Sequence, residues 1–359
     1  MIEKIKELIG QVQDKDLGKP LGELNVIKNV AVDGTEINIT LELHPPVDSI
    51  KCSTGSEIEK NLRAEFPGYR INVTIDEKAQ AKRDKGQLAG VKNLIAVSSG
   101  KGGVGKSTFA ANLAIALART GASVGILDAD VYGPSQPLMF GLDGQNMEAM
   151  EFEDGKTLAL PLESYTVKVV SMGFALQKGD AAIVRGPMLA NFFTMLFEQV
   201  YWGELDYLIF DLPPGTGDIQ LTMTQKIPLT GAVVITTPQE ISLADVRRSI
   251  AMFNKVNVNV LGIVENMSYF VPPDMPDKKY YIFGEGGGKK IADEFGLPFL
   301  GEVPLSMNIR KGSDEGKPVT IEEPESAQSK AIFEIADRIV STVRKANYDA
   351  EDDGVSIEL

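Results

Sequence analysis

Within nine residues, Gly100-Lys101-Gly102-Gly103-Val104-Gly105-Lys106-Ser107-Thr108 holds four glycines, two lysines and two hydroxyls. The G-x-x-x-x-G-K-[ST] spacing lets successive backbone N–H groups wrap phosphate oxygens. Lys106 then reaches the β and γ phosphates, and Ser107 offers its hydroxyl to Mg²⁺. Lys101 is a second lysine that the plain pattern does not require. An apolar run, Asn93 to Ser98, precedes the loop, and Phe109 to Ala118 follows it with apolar residues on nearly every side. Strand, glycine loop, helix is the order that the anion site needs, because the helix N-terminus adds unsatisfied N–H groups and about half a positive charge.

Three carboxylates fall where such a loop can use them. Asp128 and Asp130 end an apolar run, and Asp211 ends another, Tyr207 to Phe210. A carboxylate near phosphate needs a cation or a water proton between them. Asp211 has the form of a Mg²⁺ carboxylate; Asp130 is assigned to the attacking water, and Asp128 to support of the metal and loop. The alternative is that one of the pair caps the segment that follows. Leu212-Pro213-Pro214-Gly215-Thr216-Gly217-Asp218 cannot continue a strand and suits a loop that senses the γ-phosphate. Asn266 either reads the base through its amide or serves as a turn residue. Arg185-Gly186-Pro187 opens a helix whose stripe, Leu189, Phe192, Phe193, Leu196, Phe197 and Val200, is either core or interface.

These residues need elements to hold them. Ile2, Ile5, Leu8, Ile9 and Val12 predict an amphipathic helix, Leu24–Val32 and Glu36–Leu43 a hairpin around Asp33-Gly34, Ser56–Phe66 a helix, and Ile71–Ile75 a last strand. The expected divisions are a small α+β domain at residues 1–77, a solvated linker at 78–92, a nucleotide-binding domain at 93–347 and an acidic tail at 348–359. Within the second domain, apolar strands alternate with helices through Ser123–Leu127, Val167–Val170, Tyr207–Phe210, Ala232–Thr236, Val258–Val264 and Phe299–Leu300. That alternation predicts a doubly wound, mainly parallel α/β sheet with its ligands at the carboxyl ends of the strands. Ile332, Ile335, Ile339 and Val343 predict a closing helix from Ser326 to Ala346.

Composition narrows the function classes. A formal net charge of −14 argues against a surface that coats nucleic acid, so no DNA partner is expected. No run approaches the ~20 apolar residues of a membrane span, and Met1 to Glu7 lacks the apolar core of a secretory leader. A cytoplasmic protein with no membrane partner is therefore expected. One cysteine, Cys52, allows no internal disulfide, and one histidine, His44, leaves too few ligands for a histidine metal site.

The doubled-lysine loop resembles the deviant Walker A of the class that includes MinD, ParA and the nitrogenase iron protein. Asp128-Ala129-Asp130-Val131-Tyr132-Gly133-Pro134-Ser135, Arg185-Gly186-Pro187-Met188, Trp202 to Tyr207, Asp211 to Asp218 and Glu265-Asn266-Met267-Ser268 are similar, in order, to motifs of the Mrp/ApbC family of ATP-dependent iron–sulfur cluster carriers. Residues 1–75 resemble the small domain of iron–sulfur assembly factors. The resemblance implies ATP, Mg²⁺ and an iron–sulfur cluster, and ATP hydrolysis. It also implies a homodimer in which Lys101 crosses to the partner's nucleotide, and apo iron–sulfur proteins or assembly factors as partners. The other reading is an ATP-gated switch of the MinD/ParA type that recruits a partner and carries no cluster. One departure separates the chain from the family pattern. The family usually has C-x-x-C where this sequence has Val271-Pro272-Pro273-Asp274-Met275-Pro276, so both thiol positions, Pro272 and Met275, are lost. Cys52, just before the second helix of the small domain, is either a cluster ligand or an inert packed residue.

Overall fold

The computed structural model describes residues 1–47, 49–78, 88–130, 133–152, 155–174 and 199–352. They fall into two units, residues 1–81 with 340–359, and residues 82–339.

In the first unit, helix α1 (Ile2–Gly10) buries Ile5 and Ile9. Strands β1 (Ile27–Asp33) and β2 (Glu36–Leu43) form the expected hairpin. The strict alternation along β2 puts Ile37, Ile39, Leu41 and Leu43 on its buried face. Helix α2 spans Lys51–Glu65. It therefore starts five residues before the expected Ser56, because Thr54 joins Ile58 and Leu62 in one buried stripe at a spacing of four. Cys52 accordingly lies in the first turn of α2, not ahead of it, and is exposed. Strand β3 (Arg70–Glu77) then pairs parallel to β2.

The second unit begins with β4 (Val91–Ser99), two residues earlier than Asn93. Helix α3 (Lys106–Ala118) and strand β5 (Val124–Asp128) follow, then the short helix α4 (Gln136–Met139), β6 (Leu162–Ser164) and β7 (Val167–Ser171). After them come β8 (Leu205–Asp211), helix α5 (Asp218–Lys226), β9 (Gly231–Thr236), helix α6 (Glu240–Lys255) and β10 (Val260–Phe270). Helix α7 (Gly287–Phe295), β11 (Phe299–Leu305), helix α8 (Met307–Glu315) and helix α9 (Ala327–Asp352) close the chain. The sheet order is β6-β7-β5-β8-β4-β9-β10-β11. Every pairing is parallel except β6 with β7, so the doubly wound reading of this domain holds. The central strands are apolar through their middles, residues 94–97, 207–210 and 232–235, because both faces are covered: α3 packs on β4, β5 and β8, and α6 on β9 and β4.

Register does the positioning. Asp128 on β5 pairs with Asp211 on β8 and Ser171 on β7, while Asp211 pairs with Val97 on β4. The two carboxylates thus lie side by side in one row at the carboxyl ends of adjacent strands. The loop after β4 opens beside them, where the strand order reverses.

The C-terminal expectations need correction. Helix α9 runs to Asp352, so residues 348–352, expected as tail, are helical. From Val340 onward the chain belongs to the first unit, because the fully buried Arg344 is an anchor there. Its Nη1 and Nη2 donate to the two oxygens of Asp14 at 2.6 Å each, and its Nε donates to the His44 carbonyl at 2.7 Å. Residues 79–87 of the expected linker and 353–359 of the expected tail lie outside the described residues.

Candidate nucleotide and metal site

The loop between Ser99 and Lys106 is held from three sides. Ser99 Oγ donates to the Lys101 carbonyl at 3.0 Å, and the Gly215 N–H donates to the Ser99 carbonyl at 3.0 Å. Asn266 Nδ2 donates to the Val104 carbonyl at 2.8 Å. Gly105 is left-handed, with φ of 80°, and a Cβ there would collide with the Asn266 amide. Only glycine meets both demands. Gly102 and Gly103 are exposed, so their backbone faces solvent at the mouth of α3, where an anion is favoured.

Lys106, the first residue of α3, is buried. Its ammonium donates to Ser107 Oγ at 3.1 Å and forms an ion pair with Asp211 Oδ1. Asp211 is fully buried, and its other oxygen accepts from Gln136 Nε2 at 2.8 Å. The same Gln136 nitrogen donates to the Ser107 carbonyl at 3.1 Å. Ser107 and Asp211 therefore converge as a hydroxyl and a carboxylate on one position, and an ammonium rests between them. A pair of oxygens that draws in the chain's own cation fits the oxygen donors that Mg²⁺ takes.

Asp128 is fully buried and fully engaged. One oxygen accepts from the Asp130 N–H at 3.2 Å; the other accepts from the N–H groups of Ser135 (2.9 Å) and Gln136 (3.0 Å) and from Ser171 Oγ (3.0 Å). Burial, with the Asp211 charge alongside, pushes this carboxyl well above the ordinary carboxylate range. Asp128 is assigned by sequence to support of the metal and loop, and its oxygens tie down the segment after β5 and the start of α4. Of the two readings weighed for this residue, capping is the one its bonds display.

Asp130 is half-buried just beyond. Lys101 is half-buried and in no ion pair among the described residues. The Thr108 hydroxyl accepts from Ser313 Oγ at 3.4 Å, and the Thr108 carbonyl accepts from Asn112 Nδ2 at 2.8 Å. Asn266 is expected either to read the base or to serve as a turn residue. Its amide nitrogen is on Val104, and its oxygen accepts from the Met267 N–H at 3.0 Å, with Met267 left-handed at φ of 55°. The residue is a clamp on the glycine loop. It lies inside β10 at a break in register rather than at a strand end.

The segment matching the missing thiol pair is an exposed turn in which the Met275 N–H donates to the Pro272 carbonyl at 3.1 Å. The two positions are thus adjacent, as a C-x-x-C requires, but neither side chain supplies a thiolate. No group of three or more His, Cys, Asp or Glu suited to a metal occurs among the described residues. Arg185-Gly186-Pro187 and its stripe lie outside the described residues, except Val200, which is core.

Three residues of the site escaped sequence reasoning. Gln136, Ser171 and Gln220, whose Nε2 donates to Ser98 Oγ at 2.5 Å, are ordinary polar residues in sequence. The available signal for Gln136 was its place eight residues past Asp128, within the span that must turn back from β5.

The family described as "NUBPL iron-transfer P-loop NTPase" matches residues 90–340, and that described as "Iron-sulfur cluster assembly protein" matches residues 2–75. A Synechocystis protein named "Iron-sulfur cluster carrier protein" is 48% identical over 339 residues, 93% of this chain and 96% of its own. An Aquifex aeolicus protein of the same name is 49% identical over 258 residues, 72% of this chain and 69% of its own. Among solved structures, a nucleotide-binding protein of Archaeoglobus fulgidus in complex with ADP is 40% identical, with a TM-score of 0.58, covering 67% of this chain and 91% of that one. No helix among the described residues is long and apolar enough to cross a membrane.

Proposed function

Given that the chain belongs to the NUBPL iron-transfer P-loop NTPase family, we propose that it binds and hydrolyses ATP as a homodimer and carries iron–sulfur clusters to apo-proteins. The observation that carries the nucleotide half is the convergence of Lys106, Ser107 and Asp211 behind the left-handed Gly105. Family membership carries the cluster half.

The residues divide the work by position. Exposed N–H groups of the glycine loop and the first turn of α3 bind the phosphate oxygens. Phosphate competes with Asp211 for the Lys106 ammonium, so binding draws Lys106 outward and leaves Ser107 and Asp211 to hold Mg²⁺, which neutralises charge on the phosphates when bound. Asp130 takes the proton of the attacking water or orients it. Lys101, in no ion pair among the described residues, is available to cross to a second copy and bring positive charge to the γ-phosphate only in the closed dimer. Asp130→Ala is expected to leave ATP affinity unchanged while slowing phosphate release roughly 10²-fold. A variant with normal turnover removes Asp130 from this role.

The cluster is cargo, and its ligands differ from the family pattern. With Pro272 and Met275 in the turn, Cys52 is the one thiol in the chain, and it is exposed. Two copies supply two thiolates toward a site that ordinarily takes four; an exogenous thiol or the acceptor protein completes the set. Anaerobic reconstitution with iron and sulfide tests this. The wild type is expected to acquire cluster absorption and to pass the cluster to an apo-ferredoxin, and Cys52→Ser to do neither. A wild type that acquires no cluster and transfers none overturns the carrier reading and leaves an ATP-gated, partner-recruiting switch, which the loss of both turn thiols favours.

A further inference from the structure

Gln136 is completely buried, yet only half of its amide is satisfied. Both hydrogens of Nε2 are spent, on Asp211 Oδ2 at 2.8 Å and the Ser107 carbonyl at 3.1 Å. Those two acceptors fix the amide orientation, since an oxygen could not donate to either. The carbonyl oxygen Oε1 is buried with no hydrogen-bond partner among the described residues. Buried acceptors of this kind are nearly always paired. Here the orphan belongs to a side chain bonded at once to the residue that offers its hydroxyl to Mg²⁺ and to the carboxylate opposite.

The backbone of Gln136 is pinned as firmly as its side chain. Its N–H donates to Asp128 Oδ2 at 3.0 Å, and it opens α4 directly after the segment that Asp128 ties down. One residue therefore joins three strands' worth of site: Asp128 from β5 through its N–H, Asp211 from β8 through its side chain, and the glycine loop of β4 through Ser107. When Lys106 turns to phosphate, Asp211 loses its ammonium partner and keeps Gln136. We propose that Gln136 is the positioning residue of the metal half of this site: its amide nitrogen holds Asp211 in line with Ser107, and its carbonyl oxygen accepts a hydrogen bond from a water in the Mg²⁺ shell. Outer partners of this sort orient the groups around a metal and set its affinity.

This inference rests on the nucleotide reading above, and the test separates the two. The readout is ADP affinity of the full chain, by calorimetry, in excess Mg²⁺ and in EDTA, taken as the ratio of the two. Gln136→Met, apolar and of similar length, is expected to lower the ratio roughly tenfold, whatever its effect on affinity in EDTA. Gln136→Glu retains an acceptor and adds a negative charge beside Asp211; it is expected to weaken binding in EDTA and raise the ratio. A purely structural Gln136 would shift both variants the same way or scale both conditions alike, and either result overturns the proposal, as does an unchanged ratio in Gln136→Met. If Gln136→Met does not fold, Gln136→Glu decides alone: a raised ratio supports the proposal and an unchanged or lowered one overturns it. Wild type that binds no ADP in either condition would instead sink the nucleotide reading.

Discussion

Lys106→Ala is expected to abolish ATP turnover, with a fall of about 10²–10³-fold or more from the loss of one cation at the developing phosphate charge, and to destabilise the second unit in the absence of nucleotide. The second effect comes from packing. Lys106 is 6% exposed and Asp211 fully buried, and Asp211 pairs in register with the equally buried Asp128. Deleting the ammonium leaves two adjacent carboxylates in the interior with only amides and hydroxyls for company. Breaking a buried pair from one side costs about 3–5 kcal/mol. Adding Asp211→Asn to Lys106→Ala removes the orphaned charge, so the double variant is expected to recover most of the lost stability and none of the turnover. Urea melts of both variants beside phosphate-release assays check this. A Lys106→Ala protein as stable as wild type would show that the ion pair carries no weight in the fold.

Arg344→Ala is expected to unfold the first unit while leaving the second intact. Arg344 and Asp14 are both fully buried, and the guanidinium makes two parallel bonds to the carboxylate and one to the His44 carbonyl. Truncation leaves Asp14 only the Leu17 and Asp16 N–H groups, at 3.0 and 3.1 Å, and costs about 3–5 kcal/mol, a large part of what a unit of this size possesses. Hydrogen exchange of the full chain reads it: protection in α1 and β1 to β3 should collapse while β4, β8 and β9 keep theirs. The paired replacement Asp14→Leu with Arg344→Met should restore protection, because an apolar pair carries no desolvation cost. The ion pair also has a pH signature. Burial raises the Asp14 carboxyl, but the Arg344 bonds and charge and the two backbone N–H groups outweigh it and hold the carboxyl below its ordinary value of 3.8. A depressed pKa contributes stability above that value and loses it as pH falls through the folded-state value, so the first unit should lose this pair's contribution in acid.

Local sequence was legible wherever the determining contacts are local. The alternation in β2, the glycine loop, the apolar run into Asp211 and the stripe along α9 each report a neighbour a few residues away, and each was read correctly. Reading failed where a residue's partner lies far along the chain. Asn266 was left as a base reader or a turn residue, and nothing local showed that its amide nitrogen would go to Val104, 162 residues upstream. Asp128 was assigned to support of the metal and loop, but which segments it holds, through donors on Asp130, Ser135, Gln136 and Ser171, was not legible. The start of α2 was missed because Ile50, at its N-cap, provides no side-chain cap, and tertiary burial of Thr54 extends the helix without one.

The sequence by itself determined that there is a phosphate loop, which strand ends bear carboxylates, and that the thiols at 272 and 275 are missing, since these depend on residue identity and short spacing. Only the tertiary structure decided which carboxylate faces the cation and which is consumed as a cap. It also decided that a plain glutamine ties Asp211 to the loop, and that the end of the last helix belongs to the first unit. Those outcomes follow from sheet register and from the desolvation of charges. Both arise from segments up to 330 residues apart in the chain, as Asp14 and Arg344 are.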